Sequence, residues 1–360
     1  MSVPTPPVST SPVPTPVSGL PQIPESMRVS VLDRPREMAL RDRPVPVPRA
    51  GHVLVRVHSV GVCGSDVHYF ERGRIGDFVV REPLVLGHEV SGMIVATGPG
   101  VGSDRIGSRV AVEPGASCGV CEQCKAGRYN LCPAMRFFAT PPVDGALAEY
   151  VEVRADLAFD LPDSVSDDAA ALLEPLSVGI WATRKARVTA GSRLLIAGAG
   201  PIGLVTAQVA RALGATMIVV SDIAGHRLAA ARAHGATAAL PAAEVAGAGA
   251  DFDAFIDCSG AQAAITSGLR ALRPAGVAVL VGMGPDELVL PFGLLQQREL
   301  TVTGTFRYAN TWPTAIALAA SGAVDVDALV TDRYPLAEAA RALASTTTAG
   351  TIKSVIEPWR

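Results

Sequence analysis

Two rhythms of hydrophobic and polar residues divide the chain. Up to about Glu152, short apolar stretches such as Val53–Val57, Gly92–Ala96 and Arg109–Val112 alternate with closely spaced glycines and prolines. That pattern predicts an irregular, β-rich region carrying long loops. From about Ser192 the rhythm changes. Ser192–Ala197 reads as a buried strand, Pro201–Leu213 as a helix ended by Gly214, Met217–Asp222 as a strand, and His226–His234 as a helix ended by Gly235. Phe252–Asp257, Val277–Gly282 and Leu300–Gly304 read as further apolar strands. Short buried strands alternating with helices predict an α/β fold with a parallel, doubly wound Rossmann sheet.

Composition narrows the class. A chain of 360 residues can hold two domains and a sizeable core. The net charge of −3 offers no electrostatic footprint for nucleic acid. Mean hydropathy is high, +0.31, so a membrane span has to be considered. The longest uncharged runs of the folded region, 194–210 and 308–324, are shorter than the roughly 20 apolar residues a spanning helix needs, and both contain glycine, proline or polar residues. Neither membrane nor nucleic acid is therefore expected as a partner. Residues 1–27 carry eight prolines with Val, Thr and Ser. They lack the basic start and apolar centre of a signal peptide and read as a disordered or polyproline-like tail. A cytoplasmic location is expected.

Candidate chemistry sits in three places. The first is Gly61–Asp66 together with Gly87-His88-Glu89. Zinc accepts thiolate, imidazole and carboxylate, and a catalytic site keeps one position open. Cys63, His88 and Glu89 supply three such groups, and Glu174 offers a fourth. Neighbouring side chains normally point different ways, so His88 and Glu89 can both ligate only if the backbone turns, which Gly87 permits. Otherwise one of Glu89 and Glu174 acts through water. Asp66 is suited either to orient His88 or to cap a helix. Ser65 and His68, three apart near a helix start, could relay a proton to solvent, and Tyr69 could line the same site.

The second is Cys118, Cys121, Cys124 and Cys132, spaced C-x2-C-x2-C-x7-C. Four thiolates close a tetrahedron and define a structural zinc site. The chemical competitor is an iron–sulfur cluster. The third is Gly198-Ala199-Gly200-Pro201-Ile202-Gly203, which follows a strand, opens a helix, and is followed 19 residues later by Asp222. Its glycines admit a pyrophosphate to the helix N-terminus. Asp222 would bond the adenosine ribose and repel a 2′-phosphate, favouring NAD over NADP; Arg227 is the nearby cation that tempers this. Cys258 reads as a small core residue.

These residues resemble the zinc-dependent medium-chain dehydrogenase family, in its sorbitol/xylitol (polyol) dehydrogenase branch. The resemblance runs from about Met27 to the C-terminus. It is carried by Cys63–Phe70 (CGSDVHYF), Gly73–Val80 (GRIGDFVV), Val85–Glu89 (VLGHE), Gly127–Cys132 (GRYNLC), Ala139–Gly145 (ATPPVDG), Glu174–Gly179 (EPLSVG) and Phe306–Pro313 (FRYANTWP). The resemblance implies one catalytic and one structural zinc ion per chain, NAD, and Glu89 as the direct ligand, with Glu174 acting through water or on substrate. It implies that Arg307 and Tyr308 bind substrate hydroxyls. It further implies a Rossmann domain, 178–304, inserted in a GroES-like catalytic domain made of 28–177 and 305–360, and a homotetramer or a dimer. The expected reaction is NAD-dependent oxidation of a secondary hydroxyl of a polyol to a ketose. Ser65 and His68, or a water beside the metal, would take the proton. Alternatives are the same chemistry on a simple secondary alcohol or a hydroxy amino acid, and a non-catalytic redox sensor. The intact ligands argue against the sensor and against a zinc-free reductase. The proline-rich tail departs from the family pattern.

Overall fold

In a computed structural model, the structure describes residues 22–247, 249, 251–346 and 348–360. The chain opens with β1 (Ser26–Arg34), β2 (Glu37–Pro44) and β3 (His52–Gly61), followed by helix α1 (Gly64–Arg72). Short strands β4 (Arg74–Ile75), β5 (Phe78–Val79) and β6 (Leu84–Val85) lead to β7 (Glu89–Thr97) and β8 (Arg109–Val112). Next come β9 (Gly115–Ala116), α2 (Glu122–Lys125), β10 (Arg136–Phe137), β11 (Tyr150–Arg154) and β12 (Ala158–Asp160), then helices α3 (Asp167–Ala171) and α4 (Leu173–Lys185). The second half runs β13 (Arg193–Ala197), α5 (Pro201–Ala212), β14 (Met217–Asp222), α6 (Gly225–Ala233), β15 (Ala238–Pro241), β16 (Phe252–Asp257), α7 (Gln262–Ala271), β17 (Leu272–Leu280), α8 (Phe292–Gln297) and β18 (Thr301–Gly304). It closes with α9 (Trp312–Ala320), β19 (Val330–Pro335), α10 (Ala339–Ser345) and β20 (Lys353–Glu357).

Two sheets organise these elements. One is a six-stranded parallel sheet in the order β15-β14-β13-β16-β17-β18. In chain order that is 3-2-1-4-5-6, the doubly wound arrangement whose switch point lies between β13 and β16. The other is a largely antiparallel sheet, β12-β8-β7-β3-β20-β19, with β11 also paired to β3. Its strands come from both ends of the chain, because β19 and β20 return to it after β18. A three-stranded sheet, β2-β1-β6, lies beside it.

The expected strands of the parallel sheet are present, with two differences. The strand expected at Val277–Gly282 spans Leu272–Leu280, and β15 was not expected at all. The expected tail lies mostly outside the described residues. Its last six positions, 22–27, do not, and the final two, Ser26 and Met27, open β1, Met27 being buried with Val29 and Val31. Inward alternation recruits Met27 into the core, so the fold starts two residues earlier than expected. Among the described residues, no helix is long and apolar enough to cross a membrane.

The corner leading into α4 is fixed by charge. Asp167, at the start of α3, accepts from His58 Nδ1 at 2.9 Å and from Arg109 Nη2 at 2.8 Å, while Ser91 Oγ donates to its carbonyl at 2.6 Å. Asp168 accepts from Ser59 Oγ at 2.7 Å and Arg333 Nε at 2.9 Å. These bonds tie the helical corner to β3, β7, β8 and β19. Further along, Gly179 of α4 sits against α5, where a Cβ would come within 3.1 Å of Val205 and 3.2 Å of the Thr206 nitrogen.

The hydrogen bond from His58, then those from Arg109, hold the Asp167 pKa down at about 2, against the desolvation that would raise it. A carboxyl depressed on folding stabilises above its ordinary value, and that contribution is lost as pH falls toward the folded value. Asp167→Asn should therefore cost about 1 kcal/mol near neutral pH, the exposed part of the cluster being screened. In urea titrations the gap to wild type should narrow as pH falls below about 4. A gap that stays constant across that range would contradict the assignment.

Candidate active site

The first donor-bearing segment leaves β3 at Gly61. Cys63 is the N-cap of α1, in extended backbone with φ −98° and ψ 153°. The second segment enters β7 through Gly87, whose φ of 89° is left-handed. Antiparallel pairing sets Gly61 opposite Glu89. Cys63 lies two residues beyond that pair and His88 one residue before it, so the two segments converge. One donor atom from each of Cys63, His88 and Glu89 lies within 4.8 Å of the others.

Asp66 serves both uses considered for it. Its Oδ2 accepts from the Cys63 amide at 3.2 Å, and its Oδ1 accepts from the Gly87 amide at 3.0 Å. The same Oδ1 stands 3.5 Å from His88 Nδ1. One buried carboxylate thereby caps α1, fixes the turn at Gly87 and faces the imidazole. Burial opposes charge on His88, but Asp66 and Cys63 outweigh it and raise its pKa well above the ordinary value.

The donor set fits a zinc ion of the open, catalytic kind: a soft thiolate, an imidazole and a carboxylate. An orphaned atom points the same way. Glu89 is fully buried, and its Oε2 has no hydrogen-bond partner among the described residues, which is costly unless a cation or donor completes it.

Glu174 lies outside this three-residue cluster, in the first turn of α4. Burial raises its pKa to about 7, with Glu89 adding to the rise and His88 and Lys353 opposing it. The buried Tyr308 hydroxyl faces Glu174 but meets full hydrogen-bond geometry with no partner among the described residues. Burial and then Glu174 push its pKa well above the ordinary value. The Arg307 guanidinium stands 3.8 Å over the Phe137 ring and its Nη2 is 3.3 Å from Thr140 Oγ1. Burial lowers the Arg307 pKa to about 10, although Tyr308, Glu174 and Tyr69 oppose the shift. Tyr69 is buried and pushed up to about 12 by desolvation, with Arg307, Asp66 and His88 also acting on it. Ser65 and His68 are half-buried on α1. Burial, then Arg72, lowers the His68 pKa, which favours the neutral ring.

The four-cysteine loop is a second donor cluster. The sulfurs of Cys118, Cys121, Cys124 and Cys132 lie within 4.8 Å of one another. Backbone N–H groups of Val120 and Cys121 lower the Cys118 pKa to about 6, which favours the thiolate that a metal takes. This loop also touches the Arg307 segment. Asn130 Nδ2 donates to the Phe306 carbonyl, Asn310 Nδ2 to the Gly127 carbonyl, and the Asn310 amide to Tyr129 Oη, each at 2.8 Å.

At the nucleotide fingerprint, Gly198 has φ 98° and Gly200 caps α5, with Pro201 in its first turn. A Cβ on Gly203 would overlap the Gly198 carbonyl oxygen, so the tight turn needs glycine there. Asp222 Oδ2 accepts from the Ala199 amide at 2.8 Å and Oδ1 from the Ala224 amide at 2.9 Å. Beyond any ribose contact, Asp222 therefore shapes the loop itself. Arg227 Nη1 reaches to 4.0 Å from the Cβ position of Gly200. Ile202 is half-buried on the first turn of α5. Cys258 packs against the core as expected, its thiol pushed up by burial.

Two features were not read from the sequence. Lys353 donates to Glu89 Oε1 at 2.6 Å; its only signal is a lone charge inside the apolar run Ile352–Ile356. Glu113 accepts from Tyr129 Oη at 2.8 Å, and burial raises its pKa to about 7; nothing in its sequence surroundings marks it.

A thiolate–imidazole–carboxylate cluster beside a doubly wound nucleotide sheet defines a metal-dependent oxidoreductase. Residues 49–163 match the family described as alcohol dehydrogenase GroES-like domain, and residues 201–321 match zinc-binding dehydrogenase. Sorbitol dehydrogenase of Gallus gallus is 45% identical over 326 residues, covering 88% of this chain and 92% of its own. An Escherichia coli CFT073 alcohol dehydrogenase solved with NADH superposes with a TM-score of 0.87 at 29% identity, covering 93% of this chain and all of that one. A zinc-binding dehydrogenase of Sinorhizobium meliloti 1021, solved with NADP, gives a TM-score of 0.87 at 31% identity, covering 92% of this chain and 99% of that one. The chain belongs to the zinc-binding medium-chain dehydrogenase family, in its polyol dehydrogenase branch.

Gly61 carries a direct test. A Cβ at that position would overlap Glu89 Oε2. Gly61→Ala should displace the carboxylate and weaken metal binding at Cys63, His88 and Glu89 by about 10-fold or more, leaving the four-cysteine metal in place. Competition against a chromogenic chelator measures both. Unchanged binding at the first site would show that Glu89 need not stay where it stands.

Proposed function

We propose that this chain oxidises a secondary hydroxyl of a polyol of the sorbitol or xylitol type to the ketose, and catalyses the reverse, with NAD and zinc. The observation that carries the reading is the convergence of Cys63, His88 and Glu89 next to Glu174, Tyr308 and Arg307. The three-residue cluster would hold the catalytic zinc, with Glu174 acting through water or on substrate, and the four cysteines a structural zinc. Zinc in such a setting supplies a Lewis acid, and the nicotinamide a hydride acceptor.

The protein's own groups do the rest. Arg307 offers several N–H donors to neighbouring hydroxyls, and Tyr308, Tyr69 and Glu174 add acceptors and donors around it. The substrate's hydroxyl proton passes by way of Ser65 to His68, whose neutral ring can accept it, and on to solvent. Gly198, Gly200, Pro201, Ile202 and Gly203 admit the pyrophosphate to the α5 N-terminus. Asp222 keeps lone pairs free for the ribose hydroxyls and repels a 2′-phosphate; Arg227 lies on the phosphate side.

The same reading divides the chain into a catalytic part, 28–177 and 305–360, and a nucleotide-binding part, 178–304. It also makes the protein a cytoplasmic homotetramer, or a dimer. The open edge of the parallel sheet at β18 and the exposed apolar side chains Val289 and Phe292 support assembly.

The test is reduction of NAD in the presence of xylitol, sorbitol, ribitol, galactitol, 2-propanol or threonine, with and without a zinc chelator. Chelator-sensitive turnover on a polyol is expected. Turnover confined to 2-propanol or threonine would remove the polyol claim, and no turnover with zinc and NAD both bound would favour the sensor. Cys63→Ser should lower turnover by about 100-fold or more. Asp222→Asn should raise use of NADP relative to NAD by about 10-fold or more, each ~1.4 kcal/mol of relieved like-charge contact being worth that factor; an unaltered preference would assign cofactor choice elsewhere.

A further inference from the structure

Lys353 joins the two halves of the metal site from a third direction. Its side chain is 3% exposed, and its ammonium donates to Glu89 Oε1 at 2.6 Å and to the Val62 carbonyl at 2.8 Å. Val62 directly precedes Cys63, and Glu89 directly follows His88. The sheet explains the reach. β20 pairs with β3 on the side away from β7, Val355 opposite Gly61. The Val62 amide donates to the Ser354 carbonyl at 2.9 Å, continuing the ladder. Running that register on sets Lys353 across from Cys63. One buried cation therefore touches both ligand-bearing segments.

We propose that Lys353 is a positioning residue for the metal. It fixes the distance between the Cys63 and His88–Glu89 segments and holds the Glu89 carboxylate in place through Oε1. By occupying Oε1, it leaves Oε2 as the carboxylate's unpartnered atom. Structural stability alone is a weak reason for such a pair, because replacing a buried ion pair with apolar groups is often neutral or stabilising. A pair set between the two halves of a donor cluster has a further use, since outer partners of metal ligands tune affinity by 10- to 100-fold. The inference rests on the zinc reading above and is tested apart from it.

The experiment uses the full chain with zinc and, in parallel, with cobalt. Variants are Lys353→Met, Lys353→Arg, Glu89→Gln, the double variant Lys353→Met/Glu89→Gln, and Cys63→Ser to identify the first site's signal. The rate of metal loss to a chelator and the cobalt absorption bands are read for each. Lys353→Met should lose metal from the Cys63 site about 10-fold faster or more and shift that site's cobalt bands. The four-cysteine site should be unaffected, and Lys353→Arg should fall between Lys353→Met and wild type. In the Glu89→Gln background, removing Lys353 should change the rate by less than about 2-fold, because the lysine acts through the carboxylate. That neutral double variant buries no lone charge and carries the test if Lys353→Met does not fold. A wild-type rate and spectrum in folded Lys353→Met would overturn the proposal. So would an equally large effect of Lys353→Met in the Glu89→Gln background. Absence of a Cys63-dependent cobalt band in the wild type would instead overturn the zinc reading, and the inference with it.

Discussion

The pairing of Gly61 with Glu89 is the constraint on which the site depends. An antiparallel strand pair has one register, and a slip by one residue turns every side chain to the other face. Here that register decides whether Cys63, just past the end of β3, meets His88, just before the start of β7. The pair is also local in shape: the Glu89 carboxylate fills the volume that a side chain at position 61 would take. Backbone register, side-chain packing and donor geometry are thus set by the same two residues.

Around that pair the protein concentrates charge where burial makes charge expensive. Asp66, Glu89, Glu174 and Lys353 are each at most 5% exposed. Each is compensated in a different way. Asp66 takes two amide N–H groups and faces His88. Glu89 takes Lys353 on one oxygen. Glu174 is pushed up to about 7 by desolvation. A divalent cation among Cys63, His88 and Glu89 would complete the balance, as the unpartnered Glu89 oxygen indicates. The same economy extends to the nucleotide half, where Asp222 holds two amides of the loop it is expected to serve. Helix α4 links the halves, bearing Glu174 at its start and packing through Gly179 against the fingerprint helix α5.

What could be read from the sequence follows the range of each interaction. The donor set Cys63, His88 and Glu89, the four cysteines and the glycine fingerprint are legible because their chemistry is packed into short motifs. The buried strands at Arg193–Ala197, Met217–Asp222 and Phe252–Asp257 are legible as unbroken apolar runs. β15 is not, since Ala238–Pro241 is short, ends in proline and lies at a sheet edge. The early part of β17 is hidden because Arg273-Pro274-Ala275-Gly276 reads as a turn and joins β16 only across a register shift. Arg307 and Tyr308 were reached through family resemblance and not through any pattern of their own. Lys353 was out of reach: its partner is 264 residues away in sequence, and only the return of β20 to β3 brings the two together.

The most direct test of the central claim is anomalous diffraction at the zinc edge from crystals of the purified full chain. One peak is expected among Cys63, His88 and Glu89, with Glu174 beyond direct ligation, and another among Cys118, Cys121, Cys124 and Cys132. A first site with no peak, or a metal bound by Glu174 with Glu89 turned away, would contradict the convergence on which the proposed chemistry rests.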